Sequence, residues 1–240
     1  MNSYEKEAFY ELKEWQIKME KKPSFANRIS KSLQTKANNL IPEKVHVVIT
    51  EAIKNMVKAV LVGSKFTTKK PMTNASLEDR ENLVNEKLNF YKKTAAASGA
   101  GTGAGGIILG LADFPLLLSL KMKFLFDTAS LYGFDVKDYK ERVYILYIFL
   151  LAFSSDKKRL EIYQIIMNWD KYKETLPKDL DLFNWRNFQQ EYRDYMDIAK
   201  MLQLVPGIGA VVGAYANYQL VEKLGKTSVN AYRLRVFKKL

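Results

Sequence analysis

A chain of 240 residues, 48% of them hydrophobic, is long enough to bury a substantial core as one large domain or two closely fused subdomains. Cysteine is absent and His46 is the only histidine, which excludes disulfides, thiolate nucleophiles, Cys/His zinc sites and any site that needs two histidines. The formal net charge of +12 favours an anionic partner, such as phospholipid headgroups, nucleic acid or an acidic protein surface.

Apolar residues recur at helical spacing along nearly the whole chain, and no run alternates as a half-buried strand does. We therefore predict an all-α fold. Ser3 is the predicted cap of a first helix that ends at 21–23, and a second helix is predicted from Ser24 to about Leu40. Pro42 opens a third helix, whose apolar stripe ends before Gly63.

The middle of the chain carries two further helix starts. Ser76 and Asp79 form a capping-box pattern that begins a charged helix. Asp113 precedes a proline at 115, which predicts an N-cap there, and the helix that follows is predicted to end at Gly133.

Helices continue through the second half of the chain. We predict one that carries Arg142, one over roughly 156–169 and one over about 185–204, with a polar, aromatic connector over 171–184.

Two apolar segments are rich in small residues. The stretch 94–120 contains one charged residue, Asp113, and a second stretch that opens at Pro206 contains a GxxxG pattern. Small side chains let helical backbones approach closely, so we expect the two segments to pack together in a multi-helix bundle around a central glycine-rich, apolar helical hairpin. The glycines assigned to apolar packing or membrane contact are Gly99, Gly101, Gly103, Gly105, Gly106, Gly110, Gly209 and Gly213.

An ordered set of motifs spans most of the chain. After the glycine-rich run come Asp113-Phe114-Pro115, Tyr132-Gly133-Phe134-Asp135, Arg142, Val205-Pro206-Gly207-Ile208-Gly209-Ala210, Gly213-Ala214, Asn217 and Tyr232-Arg233. This set resembles the EcsC family of bacterial proteins from about Ala37 onward, which predicts an N-terminal helical extension over 1–36 and an EcsC-like all-helical domain over 37–240. The resemblance implies a helical protein from a family named after an operon that also encodes an ABC transporter, and it implies no catalytic residues.

Nucleotide-binding motifs are not supported. The run 101–106 formally satisfies GxGxxG, but a helical pattern precedes it instead of a buried strand. It is not a P-loop either, because Ile107 and Ile108 stand where a lysine and a hydroxyl residue are needed. We predict no cofactor.

Asp113, Arg142 and Asn217 are the candidates for a structural polar site or a ligand site. A buried carboxylate must be paired, hydrogen-bonded or protonated, so Asp113 is interpreted as an N-cap, with pairing to Arg142 as an added alternative. No acidic cluster has the spacing of metal ligands, and His46 is interpreted as a packed or surface residue. We predict no metal site.

Basic residues flank the apolar middle of the chain. Those near the C-terminus alternate with apolar residues, which is typical of an amphipathic helix at an anionic surface, although a solvated helix end is an alternative. No nucleic-acid-binding motif accompanies them, which argues against nucleic acid as the partner. The predicted anion-binding residues are Lys223, Lys226, Arg233, Arg235, Lys238 and Lys239.

These patterns predict a non-enzymatic protein that binds peripherally to the cytosolic face of the membrane, or to a membrane protein complex, through the glycine-rich segment and its basic flanks. The charged N-terminus lacks the apolar core of a secretory signal, so we expect a cytoplasmic location. One alternative is an enzyme, for example a hydrolase, with an acidic site around Asp113; another is a soluble scaffold that binds a protein. The sequence does not specify an oligomeric state.

Overall fold

The computed structural model describes residues 1–21, 43–62, 70–103, 106–154, 156–178, 182 and 210–238. Within these ranges the chain forms eight α-helices and no β-strand, which confirms the predicted all-α class. The helices are α1 (Ser3–Glu20), α2 (Glu43–Val62), α3 (Leu77–Gly103), α4 (Gly106–Leu131), α5 (Tyr139–Phe153), α6 (Asp156–Met167), α7 (Trp169–Thr175) and α8 (Ala210–Phe237). The helices predicted over 24–40 and 185–204 lie outside the described residues.

Helix α5 forms the centre of the core. Every residue from Glu141 to Phe153 is buried, and the helix packs against α2, α4, α6 and α8. A helix that is apolar on all sides needs neighbours on all sides, which is why the other helices surround it. Asp138 caps its N-terminus by accepting a hydrogen bond from the Lys140 backbone N–H at 2.9 Å.

Helices α3 and α8 run antiparallel and pack closely along their lengths. Their register is marked by a contact between Glu81 and Arg233 near one end and by one between Lys92 and Glu222 farther along. Between these two, Gly225 faces Leu88 so closely that a Cβ on Gly225 would lie 2.6 Å from the Leu88 methyl groups. A glycine here allows the two backbones to approach.

The helix caps largely agree with those predicted from the sequence. Asp79 N–H donates to Ser76 Oγ at 3.1 Å and Ser76 N–H donates to Asp79 Oδ2 at 3.3 Å, which confirms the capping box of α3. Gly133 adopts a positive φ of 87° just after α4, where Phe134 N–H donates to the Ala129 carbonyl, as in a Schellman motif. The cap of α1 is Asn2 instead of Ser3, because the Asn2 side chain accepts from the Glu5 N–H.

The predicted helix start at Asp113 is wrong. Helix α4 begins at Gly106 and continues through Pro115, so Asp113 lies inside the helix and is not its N-cap. An internal proline removes one backbone hydrogen bond. The buried side chains of Phe114, Leu117 and Leu118 hold this part of α4 in the core and offset that loss.

The helix expected over 156–169 is divided at Asn168 into α6 and α7.

Helix α1 buries Ala8, Leu12 and Trp15 and packs against α3, α6 and α8. The domain boundary between residues 36 and 37 stays a prediction, and it lies outside the described residues. Within the described ranges, no helix combines the length and apolar character that crossing a membrane requires.

Replacing Gly225 with valine is expected to destabilise the fold by about 1–3 kcal/mol, because the new side chain would collide with Leu88 and separate α3 from α8. Urea unfolding followed by circular dichroism measures the effect, with Gln219→Val as the control at an exposed position of α8. Adding Leu88→Ala to Gly225→Val should recover part of the loss. Equal stability of Gly225→Val and wild type would contradict this packing.

Candidate functional site

A buried ion pair joins three helices. Arg233 Nε and Nη2 donate to Glu81 Oε1 and Oε2 at 2.8 and 2.6 Å, a two-pronged geometry that suits the planar guanidinium. The Glu81 carboxylate also accepts from the hydroxyls of Tyr4 at 2.7 Å and Tyr132 at 2.8 Å, and Arg233 Nη1 donates to Glu11 at 2.6 Å. The bonds to Glu81 and Glu11 raise the pKa of Arg233 despite its burial. Arg233 therefore remains charged inside the fold.

A second, mostly buried pair begins two residues farther along α8. Arg235 Nη1 donates to Glu141 Oε2 at 2.6 Å, and Glu141 Oε1 accepts from the Tyr232 hydroxyl at 2.9 Å. Burial raises the pKa of Glu141, although Arg235 opposes this effect. The Tyr232 ring stacks on that of Tyr132 with centroids 5.2 Å apart, which links the two pairs.

The predicted basic C-terminal surface needs correction. Arg233 and Arg235 point into the fold and are neutralised by glutamates 152 and 94 residues away in sequence, so they do not form part of an anion-binding surface. Lys223, Lys226 and Lys238 are exposed. Lys226 pairs with Glu222 at 3.3 Å, Lys238 donates to the Met167 carbonyl, and Lys239 lies outside the described residues.

Arg142 lies far from Asp113 along the fold. Arg142 donates to the backbone carbonyls of Leu61, Val136 and Lys137, near the C-terminal end of α4. Asp113 lies about 27 Å of helix away from that end, so the predicted pair with Arg142 is unsupported. Arg142 instead joins α2 to the loop before α5. The side chain of Asp113 lies outside the described part of the structure.

Two buried polar side chains, Lys121 in the middle of α4 and Asn217 near the start of α8, have no hydrogen-bond partner among the described residues. Lys121 Nζ and both amide atoms of Asn217 make no hydrogen bond in the described structure, although each residue is only 1% exposed. Burial lowers the pKa of Lys121 to about 7. Such groups cost stability, so their presence in this region is a local conflict between sequence and packing.

The glycines of the small-residue segments lie at helix ends. Gly99, Gly101 and Gly103 belong to the last turns of α3, Gly106 and Gly110 to the first turns of α4, and Gly213 to the first turn of α8; Gly105 and Gly209 lie outside the described residues. If the α3–α8 register continues unchanged, residues 99–103 meet residues 210–214. The hairpin and its packing against the second segment stay predictions.

Large exposed apolar side chains occur close to these glycine-rich helix ends. Leu116 on α4 is 55% exposed and Tyr215 on α8 is 66% exposed, with Tyr218 one turn farther along α8. We call Leu116, Tyr215 and Tyr218 the apolar end. Lys92 Nζ lies 4.9 Å from the centre of the Tyr218 ring and also pairs with Glu222 at 2.6 Å.

A groove of about 740 Å³ lies between α3 and α4, and we call it the basic groove. Sequence analysis missed it, because its residues come from two helices and the segment before them. The i, i+4 spacing of Lys123 and Asp127 was the one local signal. The groove is lined by Lys70, Met72, Leu83, Glu86, Lys87, Phe90, Lys123, Asp127, Ser130 and Leu131.

A smaller polar cleft of about 300 Å³ lies over the Glu81–Arg233 pair, between α1, α3 and α8. Glu81 accepts from two tyrosines and from Arg233, so its carboxylate is held as an ion-pair partner and not as a free base. Among the residues that the structure describes, no three His, Cys, Asp or Glu side chains group as metal ligands do. The cleft therefore has the geometry of a structural network.

Replacing Arg233 with methionine is expected to cost about 3–5 kcal/mol, because it leaves Glu81 buried without its counter-ion. Chemical unfolding measures the loss, and Lys226→Met on the exposed face of α8 should change stability by no more than about 0.5 kcal/mol. The double variant Glu81→Gln/Arg233→Met should be more stable than Arg233→Met. If the single variant matched wild type, the pair would not stabilise the fold.

Replacing Lys121 with methionine is expected to stabilise the fold by about 1–3 kcal/mol near pH 7. The lowered native pKa means that between about pH 7 and pH 10 the unfolded chain retains a proton that the native chain has lost. The free energy of unfolding of the wild type therefore rises with pH in this range. The difference in free energy of unfolding between the variant and the wild type should shrink as the pH rises. Paired urea titrations test this, with Lys58→Met as control. A variant less stable than wild type at pH 7 would refute it.

Comparison with known proteins places the chain among bacterial relatives. It is 49% identical over 229 residues to Protein EcsC of Bacillus subtilis (strain 168), covering 95% of this chain and 94% of that protein. It is 26% identical over 245 residues to Uncharacterized protein YdbA of the same organism, covering 94% and 90%. No solved structure matches. The model of the EcsC protein family matches residues 6–237, and the chain therefore belongs to that family.

Proposed function

We propose that this EcsC family protein binds peripherally to the cytosolic face of the cell membrane, as a non-enzymatic protein, through its glycine-rich segment and neighbouring basic residues. The glycine-rich helix ends and the apolar end contact the lipid, while lysines on the same helices attract the anionic headgroups. No step of the proposal requires a membrane-spanning helix.

The exposure of Leu116 and Tyr215 is the observation that carries the proposal. Both side chains leave apolar surface open to solvent, and tyrosine suits a membrane interface because its ring is apolar and its hydroxyl is polar. Both residues lie on helices that begin in small-residue segments. A shallow contact would bury these side chains without exposing the backbone polar groups beside them, because both residues lie within helices.

Positive charge supports the same orientation. The chain carries a net charge of +12, and each lysine or arginine close to an anionic membrane contributes about 1 kcal/mol of binding. Lys93 is exposed on α3 beside Lys92, which approaches the Tyr218 ring. Binding should therefore weaken as salt screens the headgroups.

A membrane protein complex is the alternative partner for this surface. The resemblance to a family named after an operon that includes an ABC transporter supports such a partner. Protein-free vesicles separate the two possibilities, since only direct lipid binding persists without another protein.

Flotation with vesicles of phosphatidylglycerol and phosphatidylcholine tests the proposal. Wild type should float with the anionic vesicles and not with pure phosphatidylcholine. Tyr215→Glu and Leu116→Glu should each weaken binding several-fold, because they place a negative charge in the contact. Tyr10→Glu is the matched control, since Tyr10 is 71% exposed on the distant α1.

Two results would refute lipid binding. One is the absence of flotation with anionic vesicles at low salt. The other is equal binding by Tyr215→Glu, Leu116→Glu and Tyr10→Glu, which would place the contact elsewhere.

A further inference from the structure

The basic groove has walls from two antiparallel helices. Leu83, Glu86, Lys87 and Phe90 follow one another at helical spacing on α3 and so share one face. The opposite wall consists of residues at the same spacing on α4, from Lys123 to Leu131, and the segment 70–72 contributes to the lining. Its volume falls within the usual range for small-molecule sites.

Positive charge in this groove exceeds negative charge. Asp127 is buried and accepts hydrogen bonds from Lys123 Nζ and from the Tyr91 hydroxyl, the latter at 2.9 Å. Lys87 Nζ lies 3.9 Å from the same carboxylate. One buried carboxylate thus lies near two ammonium groups but balances the charge of only one of them. With Lys70 and Glu86 included, the lining holds three lysines and two acids.

The lysines that remain available are at the rim. The Lys87 side chain is half exposed, and Lys70 is exposed. Lysine ammonium groups bind phosphate as compact point charges and need little geometric constraint. Asp127 holds Lys123 and Lys87 on one side of the groove, so a phosphate placed there would meet positive charge already in position.

Apolar side chains form the rest of the lining. Phe90 is 61% exposed at the surface of α3, and Leu83, Leu131 and Met72 line the groove with it. Free inorganic phosphate would leave this apolar surface unused. A ligand with an anionic head and an attached hydrocarbon would use both parts of the groove.

We propose that the basic groove binds one phosphate headgroup of an anionic phospholipid, with Lys70 and Lys87 at the phosphate and Phe90 against the start of the acyl chains. This inference rests on the proposed function for its biological setting and specifies a lipid-binding site distinct from the apolar end. It also explains why Asp127 is buried beside a surface groove: it orients the lysines.

Titration calorimetry with short-chain lipids below their micelle concentration tests the groove without any membrane. Dihexanoyl-phosphatidylglycerol should bind the full chain with one-to-one stoichiometry. Dihexanoyl-phosphatidylcholine, whose choline cancels the phosphate charge, should bind about tenfold more weakly or not at all. Glycerol 3-phosphate should also bind more weakly, because it lacks the acyl chains that Phe90 contacts.

Matched variants locate the site. Lys70→Gln/Lys87→Gln should weaken phosphatidylglycerol binding about tenfold, since two cationic contacts are lost. Lys54→Gln/Lys58→Gln removes the same charge from the exposed face of α2 and should leave binding unchanged. Phe90→Ser should weaken the binding of dihexanoyl-phosphatidylglycerol but not that of glycerol 3-phosphate. Thermal melts verify folding, and Lys70 and Lys87 are chosen because Lys123 keeps its pair with Asp127.

The outcomes separate the two proposals. Absence of phosphatidylglycerol binding, equal binding of phosphatidylcholine, or equal effects of the two double variants would each overturn the headgroup site, whatever the vesicles show. Strong binding of an acidic peptide at Lys87 with no lipid binding would identify a protein partner instead. Short-chain lipid binding without vesicle flotation would support the groove and refute peripheral membrane association through the apolar end.

Discussion

The Glu81–Arg233 ion pair determines how the helices of this protein fit together. Taking a carboxylate and a guanidinium out of water is costly, and the cost is offset only when every polar atom of the pair is satisfied. Here Tyr4, Tyr132 and Glu11 complete the network, which requires α1, the end of α4 and α8 to meet α3 at one level. The antiparallel register of α3 and α8 follows, including the close approach at Gly225.

That register has consequences for the opposite end of the bundle. Continued to that end, the register predicts that the last turns of α3 meet the first turns of α8, which carry the small residues at 99–103 and 210–214. The polar atoms of Arg233 are hydrogen-bonded, whereas those of the Lys121 and Asn217 side chains have no hydrogen-bond partner in the described structure.

Arginine and lysine have separate positions in the fold. Arg233 and Arg142 are buried, where a planar guanidinium forms several directed hydrogen bonds at once, and Arg235 is mostly buried beside Glu141. Many lysines, including Lys87 and Lys226, remain at the surface, where a strongly hydrated ammonium is stable. The net charge of the chain therefore acts outward mainly through lysines.

The sequence by itself determined the helical class, the capping box of Ser76 and Asp79, the helix end at Gly133 and the family resemblance. These features depend on residues within about one helical turn of each other, or on ordered motifs. Three features depend on tertiary contacts: α4 continues through Pro115, Arg233 and Arg235 are neutralised, and Lys87 of α3 approaches Asp127 of α4. The partners in those interactions lie on different helices, and core burial outweighs local helix signals, so no short-range pattern reveals them.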